Sequence, residues 1–170
     1  LWHAHMGWFF DQTRSDNSEW APDLLDERAM TRIEHAFPWI TLATFMLPPL
    51  IALTLTWSWT AVVSAFIWGS LVRIFLLHHV TWSINSICHF YGKEAYRAHD
   101  ESRNVWPISA LSFGESWHNN HHAFPWSARL GLRAWQVDPG WWLIRSLKGL
   151  RLVDKVKVPT RAQMEARRIR

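Results

Sequence analysis

The chain has 170 residues, the length of one domain, with a net charge of +4, fourteen tryptophans, ten histidines and a single cysteine. One cysteine, Cys88, excludes an internal disulfide framework and any CxxC zinc or redox site. The slightly negative mean hydropathy averages over segments of opposite character and decides little.

Charge is spread unevenly. Residues 1–35 hold seven acidic and three basic side chains, while residues 145–170 hold nine basic ones against Asp154 and Glu165. A basic tail beside apolar hairpins marks the cytoplasmic side of a membrane rather than nucleic acid, and tryptophan suits the membrane–water interface. The opening LWHAHMGW has neither an initiator Met nor a basic leader, which predicts a further N-terminal portion.

In chain order, residues 11–34 are polar and broken by Pro22. Within DLLDERAMTRIEHAF, the residues Leu24, Leu25, Met30, Ile33 and Phe37 recur at helical spacing and predict an amphipathic helix. That helix lies along a membrane surface or packs on a protein core; the pattern fits both. Residues 38–57 carry no charge over twenty positions, enough for one membrane crossing, with a kink expected at Pro48 and Pro49. Residues 58–77 are interrupted only by Arg73 and form the second span, with Trp57 and Trp59 at the turn. Two spans joined tightly make a hairpin whose flanks both face the cytoplasm, given the basic tail.

Residues 78–170 are then the cytoplasmic cap and tail. HHVTWSINSICHFYG continues the second span as a helix, residues 93–106 are partly loop, and residues 107–122 are expected to form another helix. The later WQVDPGWWLIRSLKGLRLV has an apolar face but is too short and charged for a third span. The predicted class is all-α: an integral membrane hairpin with a histidine-rich helical cap.

The chemistry sits in that cap. His118, His121 and His122 fall at i, i+3 and i+4, so on a helix their imidazoles share a face and can converge on one metal. A solvated histidine patch would read the same way. Asn85 and His89, at i and i+4 directly after a span, add a second polar pair, which can serve a metal or simply bond between helices. Adjacent His78 and His79 point about 100° apart and are expected to be interfacial or to support ligands rather than share a metal. His3, His5, His35 and His99 read as isolated, satisfied residues. A thiolate-poor, histidine-rich site argues against structural zinc and fits iron, with copper and catalytic zinc open on spacing alone.

TWSINSICHFYG followed by GESWHNNHHAFP closely resembles the last two motif regions of the acyl-CoA delta-9, stearoyl-CoA type, fatty acid desaturase family. WHAHMGW is similar to the segment after that family's second histidine box. DESRNVWPISALSFGESWHNNHHAFP is similar to bacterial, actinobacterial-type members. The resemblance implies a four-helix membrane fold of which residues 1–170 form the C-terminal portion. It implies two iron ions, with His89, His118, His121 and His122 as ligands and Asn85 holding a metal-bound water. It places Thr81 and Trp82 along the acyl chain. Dioxygen is the implied co-substrate, with a cis double bond, at delta-9 in the family's manner, as product; the carrier is coenzyme A, acyl carrier protein or lipid. Electrons come from a ferredoxin, cytochrome b5 or flavin reductase, and the location is a bacterial plasma membrane.

The family's HxxxxH and HxxHH boxes lie outside this chain, so residues 1–170 alone are expected to be inactive. A membrane di-iron hydroxylase or alkane monooxygenase, and a non-catalytic metal-binding membrane protein, are the competing readings.

Overall fold

The computed structural model describes residues 1–11 and 16–169, without the side chain of Trp20. Residues 12–15 of the polar stretch and Arg170 of the basic tail lie outside the described residues. Every regular element among the described residues is helical: α1 (Trp2–His5), α2 (Asn17–Trp20), α3 (Pro22–Asp26), α4 (Arg28–Thr56), α5 (Trp59–Ala65), α6 (Arg73–Phe90), α7 (His118–Ala123), α8 (Pro139–Gly149) and α9 (Arg161–Arg167). Isolated β-bridges join Lys93 to Asn104, Tyr96 to Arg168 and Asn104 to Trp117 without forming a strand. The chain divides into two compact units, Phe10–His78 and Leu1–Phe9 with His79–Arg170.

The first unit is built on α4 and α5. Residues Arg28–Thr56 and Trp59–Phe90 form two helices of 29 and 32 residues, each long and apolar enough to cross a membrane. The separate amphipathic helix expected over 23–37 does not exist as such. Its first residues form α3, and from Arg28 onward it is the opening of α4, which runs through Pro38 without a break. The fold also answers how α4 accommodates Pro48 and Pro49. A proline removes the N–H that would bond the carbonyl four residues back, here those of Thr44 and Phe45. The Arg73 guanidinium donates to the Thr44 carbonyl at 3.0 Å, and the Ser70 hydroxyl to that of Phe45 at 2.6 Å. A π-helical segment, Phe66–Val72, carries Gly69 and Ser70 to this step. Gly69 is required there, because a Cβ would lie 2.7 Å from the Pro48 ring.

The other unit has a small apolar core of Tyr96, Ala123, Phe124 and Leu132, with Ala95 and Met164 packed on it. Much of its interior is instead polar and paired. Asn119 and Asn120 are 1 % exposed, and Asp138 2 %. The Asp138 carboxylate accepts from the backbone N–H groups of Leu130, Gly131 and Trp141 at 2.7–2.8 Å, capping α8 while pinning the preceding loop.

The helix expected over 107–122 is reduced to a 3₁₀ turn at Trp106–Ile108 and the six-residue α7. Phe113 and Gly114 adopt φ of 53° and 95°, which no right-handed helix contains. The Ser109 hydroxyl donates to the Trp106 carbonyl, and the Ser112 hydroxyl accepts from the Ser116 N–H, so serine side chains satisfy a turn instead of a helix.

Candidate metal centre

α7 is short, and its own six residues cannot hold it in place. Asn119 and Asn120, which separate the histidines of HNNHH, do so. The Asn119 Oδ1 accepts from the N–H groups of Ala95 and Tyr96 at 2.8 and 2.9 Å, and its Nδ2 donates to the Tyr96 carbonyl at 3.0 Å. Asn120 accepts from Asn104 Nδ2 at 2.8 Å and donates to the Leu130 carbonyl at 2.7 Å and to Gln136 Oε1 at 3.2 Å. Two faces of the helix are therefore tied to two loops, and the histidine face is left to meet α6.

On that face the ligand-capable nitrogens of His89, His118 and His122 all lie within 4.8 Å of one another. His89 Nε2 and His118 Nε2 are 3.0 Å apart, and the His118 and His122 rings are 4.3 Å apart between centroids. His121 does not join this trio. Its ring stands 6.1 Å from that of His118 and lines a neighbouring cavity of about 250 Å³ with Thr81, Ile84, Asn85, Glu115 and His118. Asn85 and Thr81 thus open onto the same space as two of the histidines. Trp82 lies elsewhere, its indole edge-on to His5, His79 and Phe9 at 5.9, 5.0 and 5.2 Å. A larger cleft of about 510 Å³ between Trp106, Trp117 and Trp135 contains none of the histidines.

The donor set fits a metal ion. Burial, reinforced by His122, His89 and His121, pushes the His118 imidazole down to about 3, so it stays neutral and keeps a lone pair to give. His121 is lowered too, by burial and then by His122. The 3.0 Å between the facing nitrogens of His89 and His118 is within reach of two imidazoles that share one ion at about 2.0–2.1 Å each. Burial raises the Glu115 carboxyl in the adjoining cavity.

Three features escaped the sequence reading. Asp100 meets Nδ1 of His122 through a carboxylate oxygen. Asn119 and Asn120 carry the helix, a role signalled only by two amides on a helix short of apolar residues. The third is a second histidine pair: His5 Nε2 lies 3.0 Å from His79 Nδ1, and His5 Nδ1 lies 2.9 Å from the Ser86 hydroxyl. His5 is therefore not isolated, and its partner is 74 positions away, beyond any local pattern.

The chain is similar across nearly its whole length to curated fatty acyl desaturases. It is 37 % identical over 171 residues to the hex-5-enoyl-[acyl-carrier protein] acetylenase of Moorena producens, covering 99 % of this chain and 53 % of that protein. It is 38 % identical over 165 residues to the chloroplastic palmitoyl-monogalactosyldiacylglycerol delta-7 desaturase of Arabidopsis thaliana, covering 97 % and 43 %. It is 35 % identical over 165 residues to the sn-1 stearoyl-lipid 9-desaturase of Anabaena variabilis, covering 96 % and 57 %. The chain spans about half the length of the curated relatives it matches. No family model matches it.

Proposed function

We propose that this chain forms the C-terminal part of an O2-dependent di-iron fatty acyl desaturase that introduces a cis double bond, at delta-9, into a saturated acyl chain. The observation that carries this reading is the convergence of His89, His118 and His122, from two segments 29 positions apart, on one point. His121 and Asn85, on the adjoining cavity, complete this chain's share of the ligands, Asn85 through a water. A two-iron centre needs more nitrogen donors than these, and the remainder are assigned to sequence outside residues 1–170; the chain alone is then inactive.

When bound, iron with dioxygen supplies an oxidant able to take hydrogen from an unactivated C–H bond, which no side-chain acid or base can do. This chain's residues supply the setting. His118 remains neutral because it is buried, and Asn119 and Asn120 fix the helix that presents it. Thr81 and Ile84 place a hydroxyl and an apolar side chain at the wall of the same cavity, suited to an acyl chain, while Trp82 packs against His5, His79 and Phe9 and is proposed to meet the chain further along its path. Relatives that act on acyl-carrier-protein and lipid-bound chains favour those carriers over coenzyme A. The helices Arg28–Thr56 and Trp59–Phe90 are read as a membrane hairpin of a four-helix fold, its flanks on the cytoplasmic side of a plasma membrane and its electrons drawn from a ferredoxin, cytochrome b5 or flavin reductase.

The test is expression of the intact protein in a desaturase-deficient host, followed by fatty acid analysis. New monounsaturated chains that disappear with His118→Ala support the reading. Hydroxylated chains, or no change alongside a correctly inserted protein, overturn it.

A further inference from the structure

We infer that Asp100 is a positioning residue for His122, setting which of its nitrogens is offered to the metal. This rests on the metal-centre reading above. Asp100 and His122 are 22 positions apart and sit on different segments, yet a carboxylate oxygen of Asp100 meets Nδ1 of His122. An imidazole next to a carboxylate donates its N–H to it, so Nδ1 carries the proton and Nε2 keeps its lone pair. The ring of His122 also stands edge-on to those of His118 and His89, with interplanar angles of 62° and 86°. The carboxylate therefore fixes both the tautomer and the plane of a ring that belongs to the convergent trio.

Asp100 is itself held. Its other oxygen, Oδ1, accepts from the backbone N–H of Ser102 at 3.0 Å, which orients the carboxylate before any ligand arrives. The segment that carries it is anchored on both sides of the centre. The N–H of Arg103 donates to the Cys88 carbonyl at 2.7 Å, one residue before His89, and the Asn104 side chain bonds Asn120, two residues before His122. The loop thus reaches the two helices that bring the three imidazoles together. A carboxylate that accepts the second N–H of a ligating histidine raises its basicity and orients its ring, and loss of such a partner typically lowers metal affinity about 10–100-fold.

The experiment compares the intact protein with its Asp100→Asn, Asp100→Glu and His118→Ala variants after iron removal. The readouts are Co(II) titration followed by the visible ligand-field spectrum and the 15N chemical shifts of the His122 imidazole. Asp100→Asn is expected to weaken Co(II) binding about 10–100-fold, to shift the ligand-field bands and to change the Nδ1/Nε2 shift pattern of His122, with partial recovery in Asp100→Glu. Both side chains are about one-third exposed, so the substitution leaves the fold intact, and unchanged far-ultraviolet circular dichroism verifies this. If His118→Ala abolishes binding while Asp100→Asn binds within twofold of the parent, with the same spectrum and tautomer, the inference is overturned and the metal centre stands. If His118→Ala also binds normally, the metal-centre reading itself fails.

Discussion

Replacing Asn119 with alanine would remove three hydrogen bonds and leave their partners in place. The amides of Ala95 and Tyr96 lose their acceptor, and the carbonyl of Tyr96 loses a donor. Each buried backbone group left unpaired costs about 1–3 kcal/mol. Tyr96 is 6 % exposed, whereas Ala95 is only partly buried and regains some of its loss through water. The expected total is about 3–5 kcal/mol, large beside the stability of a small unit. Asn119→Asp keeps the acceptor for both amides but sets a buried carboxylate against the Tyr96 carbonyl, so stability is expected to fall while the amides of Ala95 and Tyr96 keep their partner. Hydrogen exchange read by mass spectrometry on the detergent-solubilised protein reports directly, since the 95–96 amides should lose protection in the alanine variant and retain it in the aspartate variant. Unchanged protection in Asn119→Ala, or equal loss in both variants, would refute the assignment of this amide as the anchor of α7.

Arg73→Leu should leave the Thr44 carbonyl without its donor, and Ser70→Ala that of Phe45, each costing about 1–3 kcal/mol and lowering the thermal midpoint of the solubilised protein; because the two donors are neighbours serving adjacent carbonyls, the double variant should depart measurably from the sum, and strict additivity would argue against a shared step. Gly114→Ala should cost about 1–3 kcal/mol through its φ of 95° alone, and more because the new Cβ would lie 2.4 Å from Asp138 Oδ1; a thermal midpoint equal to the parent's would contradict this. The metal-free protein should lose stability as the pH falls from about 6.5 towards 3. In that window His118 is neutral when folded but protonated when unfolded, so the unfolded state binds more protons and stability rises with pH. Thermal unfolding at several pH values should show a shallower slope in His118→Gln, and identical slopes would rule out His118 as the source.

How much the sequence revealed follows the range over which each feature is determined. The apolar stretches around α4 and beyond Trp59 were legible because length and lack of charge are local properties, although Pro38 was no boundary. The pairing of His89 with His118 was foreseeable only by joining two motifs, each already readable by helical spacing. The helix expected over 107–122 is absent although its periodicity suits one, because Phe113 and Gly114 are left-handed, with the Phe113 carbonyl accepting from the Gly140 N–H and Gly114 lying against Asp138, contacts from a distant segment. The i, i+3 and i+4 spacing puts His118, His121 and His122 on one broad face, yet adjacent His121 and His122 point about 100° apart, and His121 lines the neighbouring cavity. Asp100 and the His5–His79 pair depend on chain crossings that no window of sequence contains.

The donors that serve Thr44 and Phe45 come from residues translated about 25 to 29 positions after them. If the hairpin spans a membrane as proposed, then until Ser70 and Arg73 are made the α4 segment carries two bare carbonyls, each costing several kcal/mol in hydrocarbon. On that reading the first arm is a poor candidate for release into lipid by itself during biosynthesis, and the two arms should partition together. The same donors define a single register for the hairpin. Sliding one arm by a helical turn, about 5.4 Å, would part both pairs at once and push Pro48 off Gly69. An arginine that a hydropathy profile scores as a flaw thus acts as the key that seats the two arms in one way.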